Sequence, residues 1–242
     1  MKDKVVKLKR FEKKLSARNI DKFEEMFMKF YKTIEKDNSK FSNFSKLDID
    51  YEEFMKLAKE YLIETFEYSV KSAVDMYTRL FGWKLSRLKL AEIKDKMLSE
   101  YNKKYAAAKV VQITDTTRNI LNNVLKEAQS DGLSSKSTVS KILESVEGMS
   151  KTRAKTIGRT ETSSSVNNTS LRTAKEAKMK EKGWIHIGGQ YASRDNHMRL
   201  NGKFIKIDDY WDLGKGLKCK CPHDPMLPAS EVVNCNCLQI YR

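Results

Sequence analysis

Apolar residues recur at helical spacing through most of the first 110 residues. Segment 35–50 interrupts this pattern with Asn, Ser and Asp, which favour turns. Asp50 is placed to cap a second helix, which Gly82 ends, and a further helix is predicted over 85–97. The first series of apolar positions is Val5, Leu8, Phe11, Leu15, Ile20, Phe23, Phe27, Phe30 and Ile34. The pattern predicts long helices whose apolar stripes pack against each other or against a partner.

Three more helices are predicted between residues 115 and 174. Asp115 or Thr116 is placed to cap the first, and Asp131-Gly132 ends it. The second begins at Ser134 or Ser135 and ends at Gly148, and the third follows Met149. One face of the third is small or polar, so it can pack closely only if its hydroxyl and amide groups find partners. The alternative is a partly exposed polar helix. The face comprises Ala154, Ile157, Glu161, Ser164, Asn168, Leu171 and Ala174.

Short strands replace helices after Gly183. Segments 184–187, 203–207 and 235–241 have strand-like patterns, and Gly188-Gly189 is a turn signal. Asn201-Gly202 predicts a type I′ turn between flanking strands. The predicted fold class is a mainly α N-terminal half with long helices, followed by a small α+β C-terminal module with short antiparallel strands. We place the two domains at 1–129 and 130–242.

The chain is strongly basic, with 47 Lys and Arg against 32 Asp and Glu, a net charge of +15. Such a surplus indicates a polyanion nearby, either nucleic acid or an acidic protein surface. Residues 1–20 carry eight basic and two acidic side chains. The candidate nucleic-acid-binding residues among them are Lys2, Lys4, Lys7, Lys9 and Arg10. The alternative is a solvated, lysine-rich surface.

The chain has no apolar run of about 18 residues and no signal-peptide pattern, so we expect no membrane association and synthesis in a reducing cytoplasm. All four cysteines lie in two C-x-C pairs near the end of the chain. Residues two apart on a strand face the same side, so Cys219 with Cys221 and Cys235 with Cys237 could offer four sulfurs to one zinc ion. His197 or His223 could replace one sulfur. Buried thiols acting as small apolar side chains, or a disulfide, are the alternatives.

From about residue 130 onward, a fixed order of motifs resembles the phage Mu F-like minor head protein family, also called the phage head morphogenesis domain. The chain departs from the family pattern at Asn236, where an arginine is usual between the two cysteines, and at Gln190, where an acidic residue is frequent. The matching residues are Arg153-Ala154, Ile157-Gly158-Arg159-Thr160-Glu161, Ser165-x-Asn167, Trp184, Arg194, His197-x-x-Leu200-Asn201-Gly202, Pro222-x-Asp224-Pro225, Pro228-Ala229-x-Glu231 and Asn234-Cys235-x-Cys237.

The resemblance implies a non-enzymatic minor head protein of a tailed phage or prophage. Such a protein is assembled in the host cytoplasm and located in the head interior near the portal. Its implied partners are the portal protein, the major capsid or scaffold protein, and packaged DNA, with which some members are ejected. The helical half would then reach the portal or the capsid lumen. Scaffolding roles are expected for the motif residues Arg159, Glu161, Trp184, Asn201, Gly202, Asp224 and Asn234.

Two other functions remain open at this point. A metal-dependent nuclease of the histidine-asparagine-histidine type needs a histidine base and groups that hold a cation. The residue types for that chemistry are present at His197, Asn201, His223, Asp224 and Asn234, although the doubled histidine-and-proline signature is absent. A cytosolic DNA-binding regulator would need a recognition helix, and none stands out in the sequence.

Overall fold

The computed structural model of the chain describes residues 2–38, 49–188 and 193–242. Its long helices confirm the predicted helical first half, and no helix among these residues is long and apolar enough to cross a membrane. The Asp50 carboxylate accepts a hydrogen bond from the Glu53 N–H at 2.8 Å, as a capping residue does. The helices are α1 (Lys2–Asn38), α2 (Tyr51–Phe81), α3 (Arg87–Lys104), α4 (Ala106–Ser130) and α5 (Ser135–Glu176).

Two predicted helix boundaries are wrong. Helix α4 runs through Asp115 and Thr116 because Ile113 and Thr117 on either side are buried, and the Thr116 hydroxyl donates to the Gln112 carbonyl within the continuous helix. Helix α5 is 42 residues long and runs through Gly148. A glycine in a helix interior costs only about 1 kcal/mol, which the buried residues Val146 and Ala154 on either side outweigh.

Short strands and two short helices follow α5, and the antiparallel strands confirm the predicted fold class. Strands β2, β1 and β5 form one antiparallel sheet in that order, and β3 and β4 form a separate hairpin. The elements are β1 (Glu181–Ile185), α6 (Asp195–Leu200), β2 (Phe204–Lys206), β3 (Trp211–Gly214), β4 (Leu217–Cys219), α7 (Ala229–Val232) and β5 (Leu238–Tyr241). The predicted turn at Gly188-Gly189 and the departure at Gln190 lie partly or wholly outside the described residues.

The Asn201-Gly202 turn is not the predicted type I′. Asn201 has φ −55° and ψ 127°, whereas Gly202 has φ 75°, the values of a type II turn. The Lys203 N–H closes this turn by donating to the Leu200 carbonyl at 3.0 Å. A type I′ turn connects two paired strands, whereas this turn connects helix α6 to β2, so the strand twist that favours type I′ is absent.

Residue contacts divide the chain into two compact units. The second unit, Ile20–Glu64 with Asn102–Ile157, has an apolar core in which Phe30 and Phe54 are 4.4 Å apart between ring centroids. The first unit comprises Met1–Asn19, Thr65–Tyr101 and Gly158–Arg242. Neither unit is one continuous segment, and the boundary at 129/130 stays a prediction.

The first unit has a core that joins residues distant in sequence. Leu8 and Leu15 of α1 and Tyr77 of α2 are buried with Ile240 of β5. At the centre of the sheet, Gly183 pairs with Phe204 on one side and Ile240 on the other. A Cβ atom on Gly183 would lie 2.7 Å from the Phe204 ring, so only glycine fits there.

The polar residues of the predicted face of α5 are packed in the first unit: Glu161 is buried, and the half-buried Ser164 and Asn168 side chains both donate to the His223 carbonyl, at 3.0 and 3.3 Å, which favours the closely packed alternative. The Asn19 amide donates to the hydroxyls of Ser69 at 2.9 Å and Thr162 at 2.8 Å. The Ser170 and Tyr241 hydroxyls are 2.8 Å apart. These hydroxyl and amide groups thus have the partners that burial requires.

Asn19→Ala is expected to lower the free energy of unfolding by about 2 kcal/mol, because two buried hydroxyls lose their hydrogen-bond donor. Chemical denaturation of the full chain measures this change. The matched control is Asn123→Ala on an exposed position of α4, where a change within about 0.5 kcal/mol is expected. Equal effects of the two substitutions would contradict the buried network.

Candidate metal centre

Three buried side chains in the C-terminal region point their metal-binding atoms at one another. They are His197 on α6 and Cys235 and Cys237, which directly precede β5. The ligand atoms of the three all lie within 4.8 Å of one another. The His197 Nδ1 atom is 3.5 Å from the Cys235 sulfur and 3.7 Å from the Cys237 sulfur. All three residues are among the metal ligands predicted from the sequence.

Glu231 fixes the orientation of the His197 ring through the nitrogen that faces away from the two sulfurs. Its Nε2 atom is 2.9 Å from the Glu231 carboxylate, which can only accept when ionised, so Nε2 carries the proton. The Nδ1 lone pair therefore faces the two sulfurs. Asn196 also donates to Glu231, at 3.2 Å. The Arg194 guanidinium donates to the Ser230 and Val233 carbonyls at 2.6 and 2.7 Å, which holds the start of α6 beside α7.

These distances fit a tetrahedral metal ion. With Zn–S bonds of about 2.3 Å and Zn–N bonds of about 2.05 Å, a sulfur and a nitrogen ligand lie about 3.6 Å apart. The carboxylate behind a ligating histidine is also the usual outer partner, because it fixes the tautomer and increases the basicity of the ring. The His/Cys/Cys cluster can therefore hold a metal ion.

The two thiols of the cluster differ in acidity. Hydrogen bonding with Cys237 is the main influence that holds the pKa of Cys235 well below its usual range, with added contributions from the His223 charge and from His197. The same bond raises the pKa of Cys237. A lowered pKa favours the thiolate of Cys235, and thiolates are the form in which cysteine binds metals.

The other C-x-C pair does not join this cluster. Cys219 lies in the buried apolar group that contains Trp184 and the two cysteines of the cluster, but it is not one of the three residues whose ligand atoms all lie within 4.8 Å of one another. Cys221 lies in the core with Leu238, and its thiol is 3.3 Å from the Asn168 side-chain oxygen. Burial raises the pKa of Cys219 to about 12 and that of Cys221 well above its usual range. All four cysteines are free thiols, and this pair has the environment of small apolar side chains.

The remaining motif residues lie in supporting positions. The Asp224 carboxylate accepts the N–H groups of Lys220 at 2.8 Å and Met226 at 3.1 Å. The Asn201 side chain accepts the His186 N–H at 2.9 Å. Trp184 is fully buried, with its ring centroid 5.3 Å from that of His197. These contacts hold loops and strands in place around the cluster.

Arg159, Glu161 and Asn234 occupy less direct positions. Arg159 is half-buried on α5, and Glu161 is buried, with its charge raising the pKa of Tyr101 after the larger effect of burial. Asn234 has φ 59°, a left-handed conformation that asparagine tolerates better than most residues. It directly precedes Cys235 and reverses the chain there.

The residues that a nuclease centre would need have other roles in the structure. Asp224 and Asn201 are engaged by backbone N–H groups. In the part of the chain that the structure describes, the only group of three potential metal ligands is His197 with the two cysteines, and neither His223 nor Asp224 belongs to it. Nothing in the arrangement supports a nuclease centre.

The candidate nucleic-acid-binding residues lie together on the first turns of α1. Lys2, Lys7, Lys9 and Arg10 are exposed, whereas Lys4 is half-buried. Lys4 lies 4.3 Å from the centroid of the Phe81 ring, and Lys7 pairs with Asp3 at 2.8 Å. Their role in binding nucleic acid stays a prediction.

Glu12 was not recognised from the sequence, because a single glutamate among lysines on a helix resembles a surface residue. It is buried, and the Ser163 hydroxyl donates to its carboxylate. Burial raises the pKa of Glu12 to about 7, although Ser163 and the charge of His223 act in the opposite direction. Helix α1 thus contributes a titratable group close to the Cys235 and His223 environment.

Glu12→Gln is expected to change how stability depends on pH. The carboxyl titrates at about 4.5 when unfolded and at about 7 when folded, so the folded chain binds more protons in this interval. The wild type should therefore lose about 3 kcal/mol relative to Glu12→Gln as pH rises from 4.5 to 7, with little further change above 7. Urea denaturation at several pH values measures the difference.

The control for this measurement is Glu52→Gln, which removes an exposed carboxylate from the first turn of α2. No comparable pH-dependent difference is expected there. A difference between wild type and Glu12→Gln that stays constant from pH 4.5 to 8 would mean that Glu12 is ionised in the folded chain.

The chain is similar to a known protein family and to one curated protein. A family model described as "Phage Mu protein F like protein" matches residues 119–240, half of the chain. A protein of Bacillus subtilis (strain 168), printed as "Uncharacterized protein YqbB", is 28% identical over 193 residues. The match covers 77% of this chain and 59% of that protein, so the chain spans less than two thirds of the relative's length. No solved structure matches the chain.

Proposed function

The chain belongs to the phage Mu protein F like family, and from this premise we propose that it is a minor structural protein of the head of a tailed phage or prophage. The family is one of phage head morphogenesis, so phage head components are the partners it implies. The observation that carries the proposal is the extent of the family match, residues 119–240, which contains every motif from Arg153 to Cys237.

The environment of the motif residues supports a structural role. His197 and both cysteines of the cluster are buried, and Arg194 is bonded to two backbone carbonyls. Side chains that act on a macromolecular substrate need access to it, whereas these hold the module together. A non-enzymatic protein is also what the family suggests.

The finer proposal concerns location and partners. A head protein assembled in the host cytoplasm, located in the head interior near the portal, would contact the portal protein, the major capsid or scaffold protein, and packaged DNA. The charge of +15 supports a position beside DNA, because a basic protein gains free energy in the field of the phosphates. Ejection with the DNA is part of the same proposal.

Mass spectrometry of purified particles tests this location. The chain is expected at low copy number in DNA-filled particles, protected from added protease until the particles are opened. The major capsid protein serves as the reference for copy number. Absence from particles, or digestion in intact filled heads, would contradict the proposal.

Full-length protein is expected to bind DNA without sequence preference, with an affinity that falls steeply between about 50 and 200 mM salt. Replacing Lys2, Lys4, Lys7, Lys9 and Arg10 with glutamine should reduce both the affinity and the slope of its salt dependence, because fewer counterions are released. Fluorescence anisotropy with two unrelated duplexes measures both quantities.

A matched control removes five exposed lysines from other helices, which leaves the same net charge. The positions are Lys56, Lys59, Lys126, Lys136 and Lys151. A smaller loss of affinity is expected in this control. Equal losses would show that net charge, and not the start of α1, determines binding.

For the metal centre we propose Zn²⁺ as the ion, held by His197, Cys235 and Cys237. Zinc prefers nitrogen and sulfur ligands in tetrahedral geometry, which matches this donor set. A bound zinc ion would supply a cross-link between α6 and the start of β5. Cys219 and Cys221 are further candidate ligands in the sequence, but neither belongs to the three residues whose ligand atoms all lie within 4.8 Å of one another, which does not favour that assignment.

A further inference from the structure

The three residues of the cluster leave the fourth ligand of a tetrahedral zinc ion unassigned. A second histidine, His186, lies close to Cys237. We propose that His186 is the fourth ligand and completes a closed Cys₂His₂ site with His197, Cys235 and Cys237. This inference rests on the proposed zinc ion. It extends the site by a residue that sequence reasoning assigned to a strand.

The first support is distance. The His186 Nδ1 atom lies 3.5 Å from the Cys237 sulfur. This matches the sulfur-to-nitrogen separation of about 3.6 Å in a tetrahedral zinc site, as do the separations of His197 from both sulfurs. Cys237 therefore has two histidine nitrogens at the separation of zinc ligands. His186 does not belong to the three residues whose ligand atoms all lie within 4.8 Å of one another, so its ring must move closer to the others to bind the same ion.

The second support is the orientation of the His186 ring. Its Nδ1 atom faces the sulfur, and its Nε2 atom is 2.9 Å from the Ser193 hydroxyl. The ring of His197 is arranged in the same way, with Nδ1 toward the sulfurs and Nε2 toward Glu231. An oxygen partner behind the ring is the usual feature of a ligating histidine.

The third support is the backbone that positions the ring. His186 directly follows β1, whose Ile185 pairs with Leu238 of β5, one residue after Cys237. The His186 N–H also donates to the Asn201 side chain. The sheet register thus brings the end of β1 next to the cysteine pair. With His186 included, the site joins the end of β1, helix α6 and the start of β5.

His223 is the rival for the fourth position. It is buried and interacts electrostatically with Cys235, although neither of its ring nitrogens lies within normal hydrogen-bond distance of a partner in the described residues. Its loop is held by the Ser164 and Asn168 side chains, which donate to the His223 carbonyl. However, no oxygen partner lies behind its ring, unlike the rings of His186 and His197. We therefore assign His223 to the surroundings of Cys235 and not to the ion.

A closed site has a chemical consequence. With four protein ligands, zinc has no position left for a water molecule, so the centre stabilises the fold and activates no nucleophile. A site with three protein ligands and a water would instead be open to hydrolytic chemistry. The identity of the fourth ligand therefore separates a structural metal from a catalytic one.

The test uses full-length protein loaded with Co²⁺ in place of zinc, and competition with a chelator to measure zinc affinity. His186→Ala is expected to weaken zinc binding by at least about 100-fold and to change the visible cobalt spectrum as water or no ligand replaces nitrogen. His186→Cys should keep tight binding and add thiolate-to-cobalt absorption. The control His223→Gln should leave the cobalt spectrum unchanged, whereas its zinc affinity is expected to fall modestly because His223 interacts with Cys235.

The possible results are distinguishable. If wild type binds neither zinc nor cobalt, the zinc proposal fails and this inference fails with it. If wild type binds cobalt but His186→Ala and His186→Cys leave the spectrum unchanged, zinc stands and His186 is not a ligand. A spectral change in His223→Gln alone would assign the fourth position to His223. Circular dichroism on each variant shows whether a loss of binding reflects unfolding. If His186→Ala is unfolded, the cobalt spectrum of His186→Cys tests whether the residue at position 186 binds the metal.

Discussion

Cys235→Ser is expected to abolish stoichiometric zinc binding and to lower the free energy of unfolding by at least about 4 kcal/mol in the presence of zinc. A ligand at 1,000 times its dissociation constant stabilises the folded state by about 4 kcal/mol, and this contribution disappears when the site is broken. Serine also leaves a hydroxyl in a buried position where the Cys235 sulfur lies 3.5 Å from His197 Nδ1. Thermal denaturation with and without chelator, together with elemental analysis, measures both effects.

The matched control is Cys219→Ser, because Cys219 is also buried but does not belong to the three residues whose ligand atoms lie within 4.8 Å of one another. A loss of about 1 to 3 kcal/mol is expected for placing a hydroxyl in an apolar group. That loss should be the same with and without chelator, whereas the loss in Cys235→Ser should be confined largely to the zinc-loaded comparison. Equal responses of the two variants to chelator would contradict a zinc site at Cys235.

Residues 130–242 expressed alone are expected to lack a cooperative thermal transition. In the full chain, Tyr241 packs against Tyr77, Phe81 and Trp83, with ring centroids 5.7 to 6.0 Å apart. The Tyr77 hydroxyl also donates to the Gln239 carbonyl. The shortened chain would expose this side of β5 and lose the α1 residues that share its core, so the apolar burial that stabilises the sheet would be missing.

Adding residues 1–101 as a separate chain should restore part of the transition if the missing contacts are the cause. Tyr77→Ala in the full chain is the matching point variant, with an expected loss of about 3 to 5 kcal/mol. A shortened chain that unfolds cooperatively near the temperature of the full chain would instead support the domain boundary predicted at 129/130. Differential scanning calorimetry distinguishes these results.

Local sequence patterns were sufficient to predict the fold class, the family and three residues of the candidate metal site. Helical periodicity is a local property, so the stripes from Leu8 to Ile34 and from Phe54 to Tyr77 predicted buried helix faces correctly. The motif order from Arg153 to Cys237 identified the family, which the match to residues 119–240 confirms. His197, Cys235 and Cys237 were candidates because only a few residue types bind soft metals.

Which of the candidate metal ligands lie close to one another could be seen only in the tertiary structure. Residues two apart share a side only while the strand continues, and β4 ends at Cys219, so Cys219 and Cys221 enter different apolar groups. Helix boundaries at Thr116 and Gly148 were also decided by packing, because buried neighbours outweigh weak local preferences. Glu12 and His186 reach the cluster region through the fold of α1 and the register of β1 on β5, and these contacts link residues more than 50 positions apart. Local patterns carry no information about such long-range pairs, because those pairs form only when distant segments bury their surfaces together.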